Sequence, residues 1–375
     1  MRRRTLFEMA TAAALLRKNV AAQQPKQAQQ SSQRRLGAGS HTEDFPALDR
    51  RATVGIQQGN DRRKNVYNSL KIIDRELRMK MQGKKYVVIK PNFVNTVNQL
   101  AASHVDCMRG ILDYLGDSFK GPIVIAESSA GDTRQGYENF KYSALTSEYR
   151  KHQLKLIDLN DEAKFERVAI LDADLHIVPC RIAARLVDPE AFVISAAMLK
   201  THNTVIASLG IKNMVLGAPL HQANRETTHW NEKRKYHVGL RQTHYNMMVT
   251  AQRLNWGLTV IDGYEGMEGN GPNSGTPVPS RIALASTDYV AADRIAAETM
   301  GINPEWLGYV KYCGGIGLGQ FDAAKIDVIG AKVADVKKSY RMHPDIDREL
   351  LWQGPMTELP FNLGWTRALG SERNA

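Results

Sequence analysis

The chain has 375 residues, 43% hydrophobic and 24% charged, which is enough apolar material for a buried core and excludes a disordered protein. Only 7% of the residues are aromatic, and no apolar run approaches the ~20 residues of a spanning helix, so neither an aromatic-platform nucleic-acid binder nor a membrane span in the mature body is expected. The formal charge is +11, and the three cysteines, Cys107, Cys180 and Cys313, are scattered, which leaves no disulfide scaffold and no Cys-x-x-Cys metal or cluster motif.

Residues 1–22 combine Arg2, Arg3 and Arg4, a short, weakly apolar stretch from Met9 to Leu16, and small residues at Ala21 and Ala22. This order reads as a twin-arginine-type signal peptide, which implies the twin-arginine export machinery as a partner and a periplasmic or extracellular location. The segment holds five Lys or Arg and one Glu, so the rest of the chain carries 45 basic against 38 acidic residues, or +7. That moderate excess suits anionic small molecules and is too small to imply nucleic acid. Residues 23–44 are rich in Gln, Ser, Gly and Ala and read as a disordered linker.

From 45 to 340 the pattern is that of one α/β domain, in which short Val- and Ile-rich runs alternate with segments of helical period. Strands are expected at 53–57, 86–89, 123–126, 154–159, 192–199, 258–261, 281–285 and 326–329, with helices at 64–81, 105–115, 244–254 and 290–300. The fold class is therefore a mostly parallel sheet with helices on both faces, of the doubly wound type. A small hairpin, 165–171 with 175–179, is inserted across Asp172-Ala173-Asp174. Residues 341–375, with scattered Pro, Gly and Trp, are expected to extend over the surface.

Open parallel sheets bind ligands beyond the carboxyl ends of their strands. Four apolar runs end in charge there: at Lys90-Pro91-Asn92, Glu127-Ser128-Ser129, Lys200-Thr201-His202 and Asp262-Gly263. If these strands are parallel, two lysines, an imidazole and two carboxylates converge on one crevice. Lys212 and Asn213 interrupt the apolar stretch 209–217, and a lysine in such a setting is snorkelling, paired with an anion, or lowered in pKa to act as a base. After Asp262 comes a loop with five glycines in the thirteen residues 263–275. It has neither a Walker ending nor the dinucleotide fingerprint, but it could form an anion-binding nest. Asp262, Glu265 and Glu268 could instead supply oxygen ligands to a divalent cation. Five of the ten histidines fall in the residues from His202 to His244, a span that includes a cationic stretch, 221–241, with the character of a lid or binding segment.

Several motifs together resemble the domain of unknown function 362 family: Ile-Lys-Pro-Asn (89–92), Ala-Glu-Ser-Ser (126–129), Lys-Thr-His (200–202), Gly-Ile-Lys-Asn-Met-Val-Leu-Gly (210–217), Ile-Asp-Gly (261–263), Met-Glu-Gly-Asn-Gly-Pro (267–272) and Ser-Thr-Asp-Tyr-Val-Ala-Ala-Asp (286–293). The likeness covers about residues 85–300. The resemblance implies functional weight at Lys90, Asn92, Glu127, Lys200, His202, Lys212, Asn213, Asp262, Glu268, Gly269, Asn270, Gly271, Asp288 and Asp293. For Asp288 a helix cap, and for Asp293 pairing within the fold, are equally good readings. Some members carry ferredoxin-type modules, but three scattered cysteines cannot hold a conventional four-Cys cluster.

The expectation is an exported enzyme-like protein acting on a small phosphate- or carboxylate-bearing ligand, with or without a divalent metal. His202, Asp262 and Lys200 form the candidate catalytic set. Lys90, Asn92, Glu127, Lys212, Asn213, Gly269, Asn270 and Gly271 form the candidate substrate-binding set, and Asp262, Glu268 and His202 the candidate metal ligands. Two alternatives stand beside it: a non-catalytic envelope binding protein for an anionic solute or polymer, and a redox or iron-sulfur-related protein.

Overall fold

A computed structural model describes residues 48–354 apart from 163, 224 and 225. The signal-like segment, the linker and the end of the C-terminal extension lie outside the described residues.

The strands are β1 (Ala52–Gln58), β2 (Tyr86–Lys90), β3 (Ile123–Glu127), β4 (Lys155–Asp158), β5 (Phe165–Leu171), β6 (Ile177–Ala183), β7 (Ala191–His202), β8 (Ile206–Ser208), β9 (Leu258–Glu268), β10 (Thr276–Val278), β11 (Ile282–Ser286) and β12 (Ile326–Gly330). The longer helices are α1 (Arg62–Ile72), α2 (Asp74–Met81), α3 (Val105–Ser118), α4 (Thr133–Asn139), α5 (Ser143–Glu148), α6 (Gly210–Gly217), α7 (Leu240–Arg253), α8 (Tyr289–Thr299) and α9 (Gly308–Gly315).

The main sheet has the order β12-β1-β11-β9-β7-β2-β3-β4, with β8 and β10 added beside β7 and β9. Every neighbouring pair along this path is parallel except those made by β11, which is antiparallel to both β1 and β9. Alternation along the strands explains why helices are needed on both faces. Val88, Val124, Val193 and Ile261 join one core with α6, α7 and α8. Val87, Ile89, Ile125, Ile194 and Val260 join a second core with α1, α2 and α3. The doubly wound α/β expectation is met, and β5 and β6 form the separate antiparallel hairpin.

Three differences from the sequence reading have physical causes. The helix expected over 64–81 is two helices, because the chain turns at Ile73. Asp74 is anchored there by the Tyr114 hydroxyl at 3.0 Å and by Arg78. Strands β7 and β9 run past the residues taken as their ends, to His202 and Glu268, since the hairpin partners β8 and β10 extend their ladders. The described part of the C-terminal extension is anchored inward: Glu349 is fully buried and Trp352 nearly so, the latter beside His244.

Helix α6 is held at its start by Asp293 of α8. The carboxylate accepts the Gly210 N–H at 2.7 Å and the Ile211 N–H at 2.9 Å, two of the donors that a helix N-terminus leaves without partners. Asp288, in turn, caps α8 by accepting from Val290 and Ala291. Replacing Asp293 with Ala leaves two buried N–H groups without an acceptor. Asp293→Ala is expected to cost ~1–3 kcal/mol, measured by chemical denaturation, with Asp293→Asn losing less.

Candidate functional site

Beyond the carboxyl ends of β2, β3 and β7 lies a cavity of about 410 Å³. Its floor is a buried polar network. The Lys90 ammonium donates to both Glu127 oxygens, at 2.8 and 3.0 Å, to Asn213 Oδ1 at 3.0 Å and to the Pro91 carbonyl at 2.8 Å. Glu127 also accepts the Phe93 and Ser128 N–H groups. Asn213 Oδ1 accepts from Asn92 as well, and its amide donates to the Lys90 carbonyl and to Ser195 Oγ. Burial pushes the Lys90 pKa down while Glu127 opposes the shift, and the contacts are those of an ion pair whose remaining valences are filled.

The approach of α6 to β2 that makes this network requires glycine. A Cβ on Gly217 would lie 1.8 Å from Lys90 Cε and 2.2 Å from its Nζ. Gly271 plays a similar part on the other wall, where a Cβ would lie 2.0 Å from the Thr201 carbonyl oxygen.

Three further lysines behave differently from one another. Lys200, fully buried, donates to Asn92 Oδ1 at 2.6 Å and to the Ala101 carbonyl at 3.1 Å. Burial, and then the charge of Lys212, bring its pKa to about 7. Lys233 is half-buried and donates to Ser128 Oγ and to the Leu216 and Pro219 carbonyls, between 2.7 and 3.0 Å, three acceptors for three N–H bonds. Lys212 lines the cavity, is 6% exposed, and makes no hydrogen bond or ion pair among the described residues. Burial brings it, too, to about 7.

His202 also lines the cavity, with its ring facing that of His237 at 6.2 Å between centroids. Burial, followed by the charge of Lys212, pushes His202 well below the usual imidazole range. Its Nδ1 accepts the Thr204 N–H at 3.0 Å, so the neutral ring carries its proton on Nε2.

The structure thus brings Lys90, Asn92, Glu127, His202, Lys212 and Asn213 to one cavity, with Lys200 directly behind Asn92. It places the rest elsewhere. Asp262 is buried mid-strand beside Arg62, 3.2 Å away, and accepts the Tyr264 N–H. Burial raises its carboxyl above the usual range. Glu268 binds the Arg341 backbone N–H, and the Gly269 N–H is used by the Arg341 carbonyl. Asn270 is exposed, so the glycine-rich loop reaches the cavity through Pro272 and Asn273 instead. Asp262, Glu268 and His202 are not gathered, and among the described residues no three His, Cys, Asp or Glu side chains form a metal-binding group. The three cysteines are buried and unpaired.

The cationic 221–241 stretch does not show in its sequence which residues line the cavity. Asn231, Lys233, Arg234 and His237 do, forming one wall, whereas His221 is tied to Asn160 and the Ser129 carbonyl. The missing signal is the short turn Glu232–Tyr236, begun by Asn231 accepting the Lys233 N–H.

Residues 87–298 match the family described as Domain of unknown function (DUF362). No curated protein matches the chain. A crystal structure of a Thermotoga maritima protein, target VR152 of the Northeast Structural Genomics Consortium, is similar at 10% identity and a TM-score of 0.36. That likeness covers 59% of this chain and 54% of the other, so the chain spans about half the length of that structure.

The lysines set a pH dependence. Lys200, Lys212 and Lys233 lie at about 7 in the fold, chiefly through burial, against ~10.4 in an unfolded chain, so between those values the unfolded state binds more protons. Stability of the ligand-free protein is expected to rise as the pH goes from about 7 to about 10 and to fall on the way back down. Thermal denaturation across that range checks this, and Lys212→Met should flatten the slope.

Proposed function

The chain belongs to the DUF362 family, whose match spans more than half its length, and on that premise we propose that the cavity is an enzyme-like cleft for a small phosphate- or carboxylate-bearing ligand. One observation carries this reading. The cavity is lined by Lys90, Lys212, Lys233 and Arg234 against a single carboxylate, that of Glu127, and Glu127 is already neutralised by Lys90. Arg234, always charged, and the protonated fraction of Lys212 and Lys233, both at about 7, give the lining its remaining cationic character, and their attraction for an anion in the cleft is screened less than at an open surface.

The roles follow from the contacts. Lys90, Glu127, Asn92 and Asn213 build a rigid floor and present little free hydrogen-bonding capacity. Lys233 contributes field, Arg234 a planar guanidinium suited to a carboxylate or phosphate, and His202 an N–H donor. Glycine-loop residues close the rim through Pro272 and Asn273. The reading rests on the chain's own side chains and routes no step through a metal.

Thermal shift against inorganic phosphate, pyruvate and citrate, with putrescine as a cationic control, tests the proposal. The anions are expected to raise the melting temperature, and Arg234→Gln to weaken binding about tenfold, or ~1.4 kcal/mol. Stabilisation by putrescine alone, or by none of the four, would overturn it.

The basic and weakly apolar residues 1–22 support a second part of the reading, that the protein is exported through the twin-arginine route. A reporter fused behind residues 1–44 is expected to reach the periplasm and to remain inside when Arg2, Arg3 and Arg4 are all changed to Lys. Export that is indifferent to the change would remove this part.

A further inference from the structure

We propose that Lys212 is an imine-forming lysine, whose unpartnered amine, opening on the cavity it shares with His202 and Arg234, condenses with the carbonyl of a small oxo acid bearing a carboxylate or phosphate. The inference rests on the anion-binding reading and adds to it the chemistry of the bound molecule.

Lys212 is buried as a residue, and an ammonium withdrawn from bulk water without an acceptor is costly to keep charged. Every other cation of the site has found acceptors: Lys90 four, Lys200 two and Lys233 three. Lys212 has none among the described residues. A lysine desolvated in a pocket is an arrangement that yields a neutral, nucleophilic amine near pH 7, and burial brings Lys212 to about 7. The charged and titratable groups that share the cavity with it are His202 of β7, Lys90 of β2 with Glu127 of β3, and Lys233, Arg234 and His237 of the 231–237 wall, with Lys200 of β7 behind Asn92. None is a carboxylate free to hold Lys212 as an ammonium.

The step balances without an oxidant. The amine lone pair adds to the carbonyl carbon, and the C=O π pair moves to oxygen, where the Nε2–H of His202 can stabilise it by a hydrogen bond. Both amine protons then leave with that oxygen as water, by way of solvent, and a C=N bond replaces C=O. Arg234 and the field of Lys233 hold the acid group, which makes the condensation effectively intramolecular.

Reductive trapping tests the proposal on the intact protein. Pyruvate and dihydroxyacetone phosphate are each added with sodium borohydride, and the digest is mapped by mass spectrometry. A saturable adduct on the Lys212 peptide, suppressed at least tenfold by inorganic phosphate and absent in Lys212→Arg, is the expected result. The two probes distinguish a carboxylate-bearing from a phosphate-bearing oxo compound. Adducts spread over surface lysines and unchanged in Lys212→Arg would overturn the proposal. Calorimetric titration of both probes runs in parallel. Binding with no adduct at Lys212 removes the imine while leaving the anion cleft, whereas absence of binding removes both. Lys212→Arg replaces the amine with a guanidinium that forms no imine and is checked for folding by circular dichroism, and the wild-type map stands without it.

Discussion

A single buried ion pair organises the end of the sheet that carries the cavity. Lys90 and Glu127 are the last residues of two adjacent parallel strands, and taking both charges out of water is tolerable only because each is fully coordinated. The coordination reaches outward in every direction: to Asn213 on helix α6, to Asn92 and through it Lys200, and to the backbone after each strand. Loss of either charge would leave the other buried and unmatched, so the pair fixes where α6 sits. The position of α6 then decides where Lys212 stands.

The same network separates two kinds of lysine that look alike in the sequence. Lys90 is spent on structure, and its charge is cancelled. Lys212, three residues into α6, shares the helix with Asn213 yet none of its partners. Asp293 secures the start of that helix directly before Lys212, and Ser128 and Lys233 donate to the Gly217 and Leu216 carbonyls at its far end, so the lysine is carried on an element held at both ends. A reactive side chain is best placed on such a support, since positional error weakens reaction as surely as a missing group does.

Much of this was legible in the residues. β-Branched runs ending in charge located β2, β3, β7 and β9, and their parallel arrangement followed from the helical segments between them. The inference that strand ends converge succeeded for Lys90, Glu127 and His202 and failed for Asp262. The failure has a simple cause: β9 continues to Glu268 through a ladder with β10, so Asp262 lies within the sheet and faces Arg62 on α1. Strand length set by the ladder to a hairpin partner is not written in the strand's own periodicity. The glycine-rich loop misled in a similar way. Gly271 is glycine because the Thr201 backbone lies against it, and the Gly269 amide is already used. The lining contributed by 231–237 was visible as charge, but its facing depended on a short turn with no apolar period to announce it.

The three cysteines lead to one more consequence. Each is packed in the interior as a small apolar side chain and none is bridged, so no covalent cross-link contributes to the fold. Cohesion comes from non-covalent packing, the apolar clusters, the sheet ladders and the polar floor among it, and no step of folding has to wait for thiol oxidation. Whatever compartment it works in, it carries no requirement for an oxidising folding environment, and a cargo that crosses a membrane already folded must meet that same condition.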